Sequence, residues 1–217
     1  MAPLIFFVEG NIGSGKSTFL KNMEKYFSVN TQFIQEPVDV WKETKDNDDN
    51  NILHYFYNDM ERFCYAFQSF AFISRVQQID TINTDNTIIF IERSVFCDRN
   101  VFASTCHESG LMSDIEWKIY NTWFSWMETK YNDIFKSAQY IYLQCSPNTS
   151  LHRISKRARS EESSISIEYL STLHNKHDKW LCNNSNVLII DAEQNLLNTE
   201  IMESTVENIN QYIKKLE

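Results

Sequence analysis

The stretch LIFFVEGNIGSGKSTFL, residues 4–20, decides how the rest of this 217-residue chain is interpreted. Its apolar residues 4–8 favour a buried strand, and residues 10–18 match the pattern G-x-x-x-x-G-K-[ST] at every fixed position. Three of the chain's four glycines lie in this segment, as expected where backbone takes positive φ or approaches a ligand closely. An amphipathic stretch follows, so the order strand, loop and helix predicts a phosphate-binding loop. The alternative is a glycine-rich turn that binds nothing.

The residue types in this loop have predicted roles in holding phosphate. Backbone N–H groups of such a loop point inward, and the following helix adds the positive end of its dipole. Lys16 is expected to reach the β- and γ-phosphates, and the Ser17 hydroxyl is expected to bind Mg²⁺. The phosphate-binding prediction covers Gly10, Asn11, Ile12, Gly13, Ser14, Gly15, Lys16, Ser17 and Thr18.

Composition narrows the function classes. The chain has 20 basic and 29 acidic residues, a formal net charge of −9, so we expect no binding to a nucleic-acid polymer. A hydrophobic fraction of 42% excludes a disordered chain. Five cysteines without C-x-x-C spacing predict free thiols in a reducing compartment. No signal peptide or membrane-spanning run is visible, so a cytoplasmic protein that does not bind membranes is expected.

Four more apolar runs predict buried strands, at residues 32–35, 87–91, 139–143 and 186–190. Helical patterns lie between them, including one from about residue 59 to about residue 80. This alternation predicts an α/β fold in which a five-stranded parallel sheet is flanked by helices. The sequence shows no repeat, heptad run or long linker, so a single domain over residues 1–217 is expected.

Charged residues follow two of the predicted strands, at the edge where ligands bind in open α/β sheets. Glu36 comes directly after the second strand, and Pro37 favours an extended conformation that directs the carboxylate towards the phosphate loop. Glu92 and Arg93 come at the end of the next strand. A carboxylate and a guanidinium there suit magnesium binding and the orientation of a nucleophile. Glu36, Glu92 and Arg93 are therefore candidate catalytic residues.

A basic run, HRISKRARSEE at residues 152–162, stands out in an acidic chain. It contains three of the seven arginines: Arg153, Arg157 and Arg159. On a helix, Arg153 and Arg157 share a face, and adjacent guanidiniums repel each other unless an anion lies between them. A transferring phosphoryl group is such an anion. The alternative is a solvated helix face paired with the acidic residues 161 and 162.

A further set lies on the predicted helix at 59–80. Gln68, Ala71 and Arg75 are spaced i, i+3 and i+7, which puts an amide, a small gap and a guanidinium on one stripe. This stripe suits the hydrogen-bonding edge of a flat heterocycle. Asp98 could pair with Arg75 and fix both side chains against a base. The alternative is a polar stripe on the surface.

Together these motifs resemble one family, the deoxynucleoside kinases of the deoxycytidine/deoxyguanosine kinase group. The resemblance rests on EGNIGSGKST (9–18), EPVDVW (36–41), FQSFAFISR (67–75), ERSVFCDR (92–99), EWKIY (116–120), the arginine run, and residues 168–180. It extends from residue 4 to about residue 196, in the family's order. It implies a P-loop kinase fold with an arginine-rich lid at about residues 153–165.

The resemblance also implies roles for the candidate residues. Glu36 is similar to the base beside the substrate 5′-hydroxyl, with Arg93 next to it, and Glu92 matches the acidic residue at the magnesium. Which carboxylate accepts the proton stays open, and position favours Glu36. On the acceptor side, the resemblance implies that Tyr57 and Glu162 hold the sugar 3′-hydroxyl, that Gln68, Arg75 and Asp98 read the base, and that Trp41, Phe67 and Phe102 form apolar walls. On the donor side, it implies that Arg153, Arg157 and Arg159 lie over the phosphates and that Gln194, Asn195 and Leu196 lie near the base. Ser17 and Glu92 are implied at the metal.

The implied reaction is phosphorylation of a deoxynucleoside 5′-hydroxyl by ATP or another NTP with Mg²⁺, in nucleotide salvage. The Arg75–Asp98 pair resembles members that accept deoxycytidine and purine deoxynucleosides, whereas the lid spelling resembles a broad-specificity enzyme that also accepts thymidine. The family is typically homodimeric, which makes residues 59–80 and 113–131 interface candidates. Two other functions stay open, a nucleoside-monophosphate kinase and a regulatory P-loop switch.

Overall fold

The computed structural model describes residues 3–216, with the backbone alone at residue 160. One parallel sheet is formed by β1 (Leu4–Glu9), β2 (Thr31–Ile34), β3 (Ile88–Glu92), β4 (Gln139–Gln144) and β5 (Val187–Asp191). Both ends of each strand lie within one residue of the run predicted from the sequence. The prediction of an α/β fold with a five-stranded parallel sheet is therefore confirmed.

The strand order β2-β3-β1-β4-β5 places β1 in the middle of the sheet. From β1 the chain forms β2 and β3 on one side and then passes to β4 and β5 on the other. In open α/β sheets, ligands bind outside the carboxyl ends of the strands at such a reversal. The glycine-rich loop follows β1, Glu36 follows β2 and Glu92 ends β3, so the topology brings these motifs to one edge.

Helices cover both faces of the sheet. They are α1 (Lys16–Met23), α2 (Val38–Glu43), α3 (Ile52–Asn58), α4 (Met60–Ile79), α5 (Val95–Cys97), α6 (Ser104–Glu108), α7 (Asp114–Lys130), α8 (Asn132–Lys136), α9 (Pro147–Arg157), α10 (Ile167–Leu181) and α11 (Thr199–Lys214). A π-helical turn, Asp98–Ala103, joins α5 to α6, and a 3₁₀ turn, Ser160–Glu162, precedes α10. The helix predicted at 59–80 is α4, which Asp59 caps by accepting from the Arg62 N–H.

The central strand β1 is buried on both faces, which explains its unbroken apolar run. Phe6 and Val8 pack in one core cluster with residues of α1 and α11. Ile5 and Phe7 point to the opposite face and pack in a second cluster that includes Leu181 of α10. Burial of each such side chain stabilises the fold by about 1.5–3 kcal/mol. The strand is thus a fixed base for the loop that follows it.

Helices α4 and α7 meet in a third apolar cluster. Phe72 and Tyr120 pack edge to face across it, with ring centroids 5.6 Å apart, and Phe124 lies beside them. Helix α4 also buries the polar side chains of Gln68 and Arg75, and buried polar groups need hydrogen-bond partners. Across residues 3–216, no helix is both long and apolar enough to cross a bilayer.

Candidate active site

The glycine-rich loop takes the conformation that its sequence predicts. Gly10, Gly13 and Gly15 have φ values of 148°, 78° and 96°, in the region that favours glycine. A Cβ at Gly13 would lie 2.5 Å from the backbone oxygen of Ser150 on α9, so a side chain there would push the loop and α9 apart. Gly15 is the N-cap of α1. The loop amides and a helix N-terminus therefore meet at one place, as an anion site requires.

Lys16 begins α1 and is buried at the foot of the loop. Its Nζ donates to the backbone oxygens of Gly10, at 3.1 Å, and of Asn11, at 2.9 Å. Burial, together with the nearby Arg93 guanidinium, lowers the pKa of Lys16 to about 8. The ammonium is thus fixed by the loop itself, beside the amides that would hold phosphate.

A cavity of about 230 Å³ opens at this edge of the sheet. Lys16 and Glu36 both line it, so the phosphate loop and the predicted base share one cleft. The other predicted residues on its wall are Ile12, Gly13, Gly15, Ser17, Thr18, Trp41, Tyr57, Phe67, Gln68, Arg75, Glu92, Arg93, Asp98, Phe102, Arg157, Arg159 and Glu162. The remaining loop residues, Gly10, Asn11 and Ser14, are buried and do not line the cavity.

Glu36 lies between two buried guanidiniums. Its Oε1 accepts from the Nε of Arg93 at 2.9 Å and from an Nη of Arg75. Burial alone would raise the pKa of Glu36, but the charges of Arg93 and Arg75 prevail and lower it to about 2. The carboxylate is therefore anionic throughout the neutral range.

Glu92 is held at the mouth of the phosphate loop. Its Oε1 accepts from the Ser17 hydroxyl at 2.8 Å, and its Oε2 accepts from the backbone N–H of Glu36 at 3.3 Å. In the described part of the chain, no cluster of three His, Cys, Asp or Glu side chains could hold a metal. Mg²⁺ suits the pair nonetheless, because it prefers hard oxygen ligands and takes few from protein, completing its shell with water and substrate phosphates.

Arg93 has a strained backbone, with φ at 64°. Its N–H donates to the Val8 oxygen at 3.0 Å, and the N–H of Ser94 donates to the Glu9 carboxylate at 2.9 Å. A left-handed non-glycine residue costs about 1–3 kcal/mol and persists only where its surroundings enforce it. These two bonds to the end of β1 enforce it here. The guanidinium then lies over the Phe102 ring, 4.6 Å from its centroid.

The predicted polar stripe lies on the wall of the same cavity. Arg75 donates to Asp98 Oδ1 at 2.6 Å, so the predicted ion pair is confirmed, and its guanidinium lies 4.9 Å from the centroid of a Trp41 ring. Gln68 and Ala71 line the same wall. Asp98 Oδ2 is buried and has no hydrogen-bond partner within residues 3–216. Burial raises the pKa of Asp98 to about 6. An unpaired buried acceptor suits a ligand N–H.

Comparison with known proteins agrees with this geometry. The model of the family described as deoxynucleoside kinase matches residues 6–215. The chain belongs to the deoxynucleoside kinase family. A probable deoxycytidine kinase of fowlpox virus (strain NVSL) is 38% identical to it, with 96% of this chain and 88% of the relative covered. Homo sapiens deoxycytidine kinase is 34% identical (96% and 90% covered), and Xenopus laevis mitochondrial deoxyguanosine kinase is 30% identical (89% and 80% covered).

The lid arginines of this kinase have two different sets of partners. Arg157 and Arg159 both pair with Glu162, and Nη1 of Arg159 lies 3.1 Å from the Glu162 carboxylate. All three residues line the cavity. Arg153 lies outside the cavity wall and donates to the backbone oxygens of Ser14, at 3.2 Å, and of residue 194, at 3.4 Å. The structure therefore does not bring Arg153 and Arg157 together on one anion, although the two share a helix.

The predicted donor-base loop also lies away from the cavity. Gln194 lines a separate groove beside β5 and α11, and its Nε2 donates to Asp191 at 3.1 Å. Asn195 Oδ1 accepts from the N–H of Leu197 at 3.1 Å. Leu196 is buried in the core beside α11, so its side chain is not available to a ligand. In the structure as it stands, Arg153 is the link between this loop and the phosphate loop.

One further sequence pattern belongs to the structure of α10 rather than to a nucleotide site. Residues 175–178 read N-K-H-D, which fits the guanine-reading pattern N-K-x-D of GTPases. In this kinase they lie inside α10, where Lys176 donates to Glu108 at 2.7 Å and Asp178 accepts from Tyr142 at 2.7 Å. His177 is fully buried. The pattern therefore forms no guanine pocket.

Sequence reasoning missed three residues of the site region. Tyr169 of α10 lines the cavity, and burial raises its pKa, which keeps its hydroxyl a neutral donor. Cys97 and His177 lie behind Arg93, fully buried. Tyr169 lies in a quoted motif and could have been selected by its helical spacing. The contact between Cys97 and His177 joins residues 80 positions apart, so no local sequence pattern predicts it.

Proposed function

We propose that this kinase transfers the terminal phosphoryl group of ATP, or another NTP, to the 5′-hydroxyl of deoxycytidine and purine deoxynucleosides. One observation carries the proposal: the Lys16 ammonium and the Glu36 carboxylate line the same cavity, and the Arg75–Asp98 pair lines it as well. Relatives named as deoxycytidine and deoxyguanosine kinases support the acceptor class. They do not favour the broad-specificity alternative that includes thymidine.

In the proposed step, the 5′-oxygen attacks the γ-phosphorus as the bond from that phosphorus to the β,γ-bridging oxygen breaks and ADP leaves. The 5′-hydroxyl proton passes to Glu36. Such transfers pass through a loose transition state, so a carboxylate of low pKa suffices when it orients the hydroxyl. Glu92 is already engaged by Ser17 and by the backbone of Glu36, which supports Glu36 as the proton acceptor.

Ser17 and Glu92 would hold Mg²⁺, which neutralises charge on the donor phosphates when bound. Lys16 would hold the β- and γ-phosphates beside the loop amides. Residues 153–165 form the proposed lid, in which Arg157 and Arg159 leave Glu162 for the donor phosphates. Glu162, released in this way, and Tyr57 would then hold the sugar 3′-hydroxyl. Both line the cavity, and burial and nearby carboxylates raise the pKa of Tyr57, so it is a neutral donor.

Comparing a set of phosphoryl acceptors tests the proposal. The purified protein with ATP and Mg²⁺ is given each of four deoxynucleosides and, separately, cytidylate and thymidylate, and ADP release is measured as kcat/KM. We expect deoxycytidine and the purine deoxynucleosides to exceed thymidine by about tenfold or more, because a site built for hydrogen bonds rejects ligands that leave its groups unpaired. A preference for the monophosphates would establish the nucleoside-monophosphate kinase instead. Nucleotide binding without acceptor-dependent ADP release would establish a switch.

We also propose a homodimer through α4 and α7. Ile115, Ile119, Trp123 and Trp126 are all exposed along one face of α7, and Ile73 on α4 is exposed as well. A stripe with two exposed tryptophans is typical of a protein interface. Sedimentation equilibrium should give twice the 25.7 kDa of the chain. Trp123→Asp should give a monomer, and Val29→Asp, at a fully exposed position after α1, should not.

We also propose a cytoplasmic location, which the five free cysteines support, because thiols stay reduced in that compartment.

A further inference from the structure

A chain of buried polar groups lies behind Arg93. The Nη1 of Arg93 donates to Cys97 Sγ at 3.1 Å. Cys97 Sγ lies 3.4 Å from Nε2 of His177, and Nδ1 of His177 lies 2.7 Å from the backbone oxygen of Leu173. On its other side, the same guanidinium donates through Nε to Glu36. The contacts thus run without a break from a carbonyl of α10 to the proposed base.

The chemistry of the groups fixes the direction of each hydrogen bond. A carbonyl only accepts, so His177 carries its proton on Nδ1, and a neutral ring then leaves Nε2 as an acceptor. The Cys97 thiol donates to Nε2, while its sulfur accepts from Arg93, which can only donate. Burial lowers the pKa of His177 well below its usual range and raises that of Cys97, so both groups are neutral.

The same geometry would suit a nucleophile with its base, but the surroundings exclude that role. Cys97 and His177 are fully buried, and neither lines the cavity. Reactive cysteines are partly exposed and have a lowered pKa. A thiol without access to substrate cannot attack it, so any effect of this pair on the reaction passes through Arg93.

We propose that Cys97 and His177 are positioning residues, whose hydrogen-bond chain from the Leu173 carbonyl holds the Arg93 guanidinium against Glu36. A planar guanidinium is fixed in orientation when two of its N–H groups have buried partners, here the carboxylate of Glu36 and the sulfur of Cys97. Without the sulfur, one of these anchors is lost and Glu36 loses a fixed partner. The inference rests on the proposed roles of Glu36 and Arg93.

Substitution of Cys97 tests the proposal through a split between kcat and KM. Cys97→Ala should lower kcat about tenfold, with KM for ATP and for the acceptor changed less than about twofold, because misorientation at the reacting groups acts on the transition state. Cys97→Ser keeps a donor and an acceptor and should restore kcat to within about threefold. Cys106→Ala removes the same atom from a buried site elsewhere and is the matched control, with unchanged kcat.

A second arm uses His177→Phe, which keeps an aromatic ring in the stack on Tyr142 but removes the acceptor for the thiol. It should lower kcat less than Cys97→Ala does. Each variant is assayed well below its own unfolding midpoint, so that lost folding is not counted as lost turnover. A kcat for both variants equal to the wild-type value overturns the proposal.

A double-substitution cycle shows whether the effect passes through Arg93. Arg93→Lys replaces the guanidinium that contacts both Glu36 and Cys97 by an ammonium that cannot make both contacts in the same geometry. In this background, adding Cys97→Ala should change kcat less than about twofold. Additive losses would overturn the proposed route. Glu36→Gln in the same assay separates the two hypotheses. If Glu36→Gln keeps the wild-type kcat, the proposed role of Glu36 as proton acceptor fails; if it is inactive while Cys97→Ala equals wild type, only the positioning role fails.

Discussion

Two carboxylates of this kinase each lie between two arginines, and the surroundings of the two sets differ. The sets are Glu36 with Arg75 and Arg93, and Glu162 with Arg157 and Arg159. Arg75 and Arg93 are 5% and 3% exposed, whereas Arg157 and Arg159 are 34% and 28% exposed. The first set joins residues from three separate parts of the chain, and the second comes from a single lid segment of six residues. The same chemical grouping therefore differs in its arginines, which are buried around Glu36 and partly exposed around Glu162.

This difference follows from the cost of removing charge from water. A buried ion pair that loses one partner leaves an uncompensated charge, whereas an exposed partner is replaced by solvent. The Glu36 set suits a group that must keep one orientation through the reaction. The Glu162 set suits arginines that move to incoming phosphates.

The largest expected effect comes from breaking the buried set at its carboxylate. Glu36→Gln removes the proposed proton acceptor while keeping its shape, and should lower turnover by roughly 10²–10⁴. Steady-state ADP release with saturating acceptor measures it. Glu162→Gln is the counterpart in the Glu162 set and should lower turnover far less. Equal losses in the two variants would show that Glu36 has no special role in the chemistry.

Stability should separate the two sets as well. Arg75→Met leaves Asp98 and Glu36 short of a buried partner and should cost about 3–5 kcal/mol of the free energy of unfolding. Arg157→Met should cost less than about 1 kcal/mol, because the guanidinium of Arg157 is 34% exposed and Glu162 keeps Arg159 as a partner. Urea titration of both variants gives the comparison. A similar cost for the two would contradict the assignment of one set to the interior.

Removing both members of the Arg75–Asp98 pair, whose proposed role is to read the base, should change acceptor choice. Arg75→Met with Asp98→Ala leaves no orphaned charge and opens room beside Ala71, so the ratio of kcat/KM for thymidine over deoxycytidine should rise about tenfold. The double variant should also be more stable than Arg75→Met alone, since no unpaired carboxylate remains at position 98. Arg99→Met, outside the cavity, is the control. An unchanged ranking would remove the base-reading role.

The smallest expected effect is a pH dependence that belongs to Asp98. Its pKa is 3.8 in an ordinary setting and about 6 in the fold, so between these values the native state binds the extra proton. That proton stabilises the fold fully below pH about 4, and the benefit is lost as pH rises through about 6. Relative to Asp98→Asn, the wild-type free energy of unfolding should therefore fall by about 1 kcal/mol or more over this range. If the free energies of unfolding of the wild type and of Asp98→Asn change with pH in parallel, the pKa of Asp98 is not raised by the fold.

The sequence predicted the parts of the site that depend on strand ends and helical spacing. Glu36 and Glu92 lie at the mouth of the cavity because parallel strands end at one edge, and Gln68 and Arg75 share a stripe because α4 is regular. Arg153 differs from Arg157 because α9 ends at Arg157 and Ala158 takes a left-handed turn, after which Glu162 pairs with Arg157 and Arg159.

What the sequence could not predict depends on contacts between distant segments. Leu196 is an apolar residue in a polar loop, and its burial beside α11 follows from how that helix packs on β5. The chain from Leu173 through Cys97 to Arg93 needs α10 to lie against the end of β3. Burial also decides charge states that composition leaves open, such as the neutral ring of His177.

The close approach of Gly13 to Ser150 has a consequence for building chimeric enzymes from this family. The loop and the start of α9 touch through backbone atoms, and Arg153 adds a hydrogen bond to the Ser14 oxygen. A lid helix transplanted from another enzyme would meet this loop at its most crowded point. The two segments form a matched pair, and a functional exchange has to carry both of them.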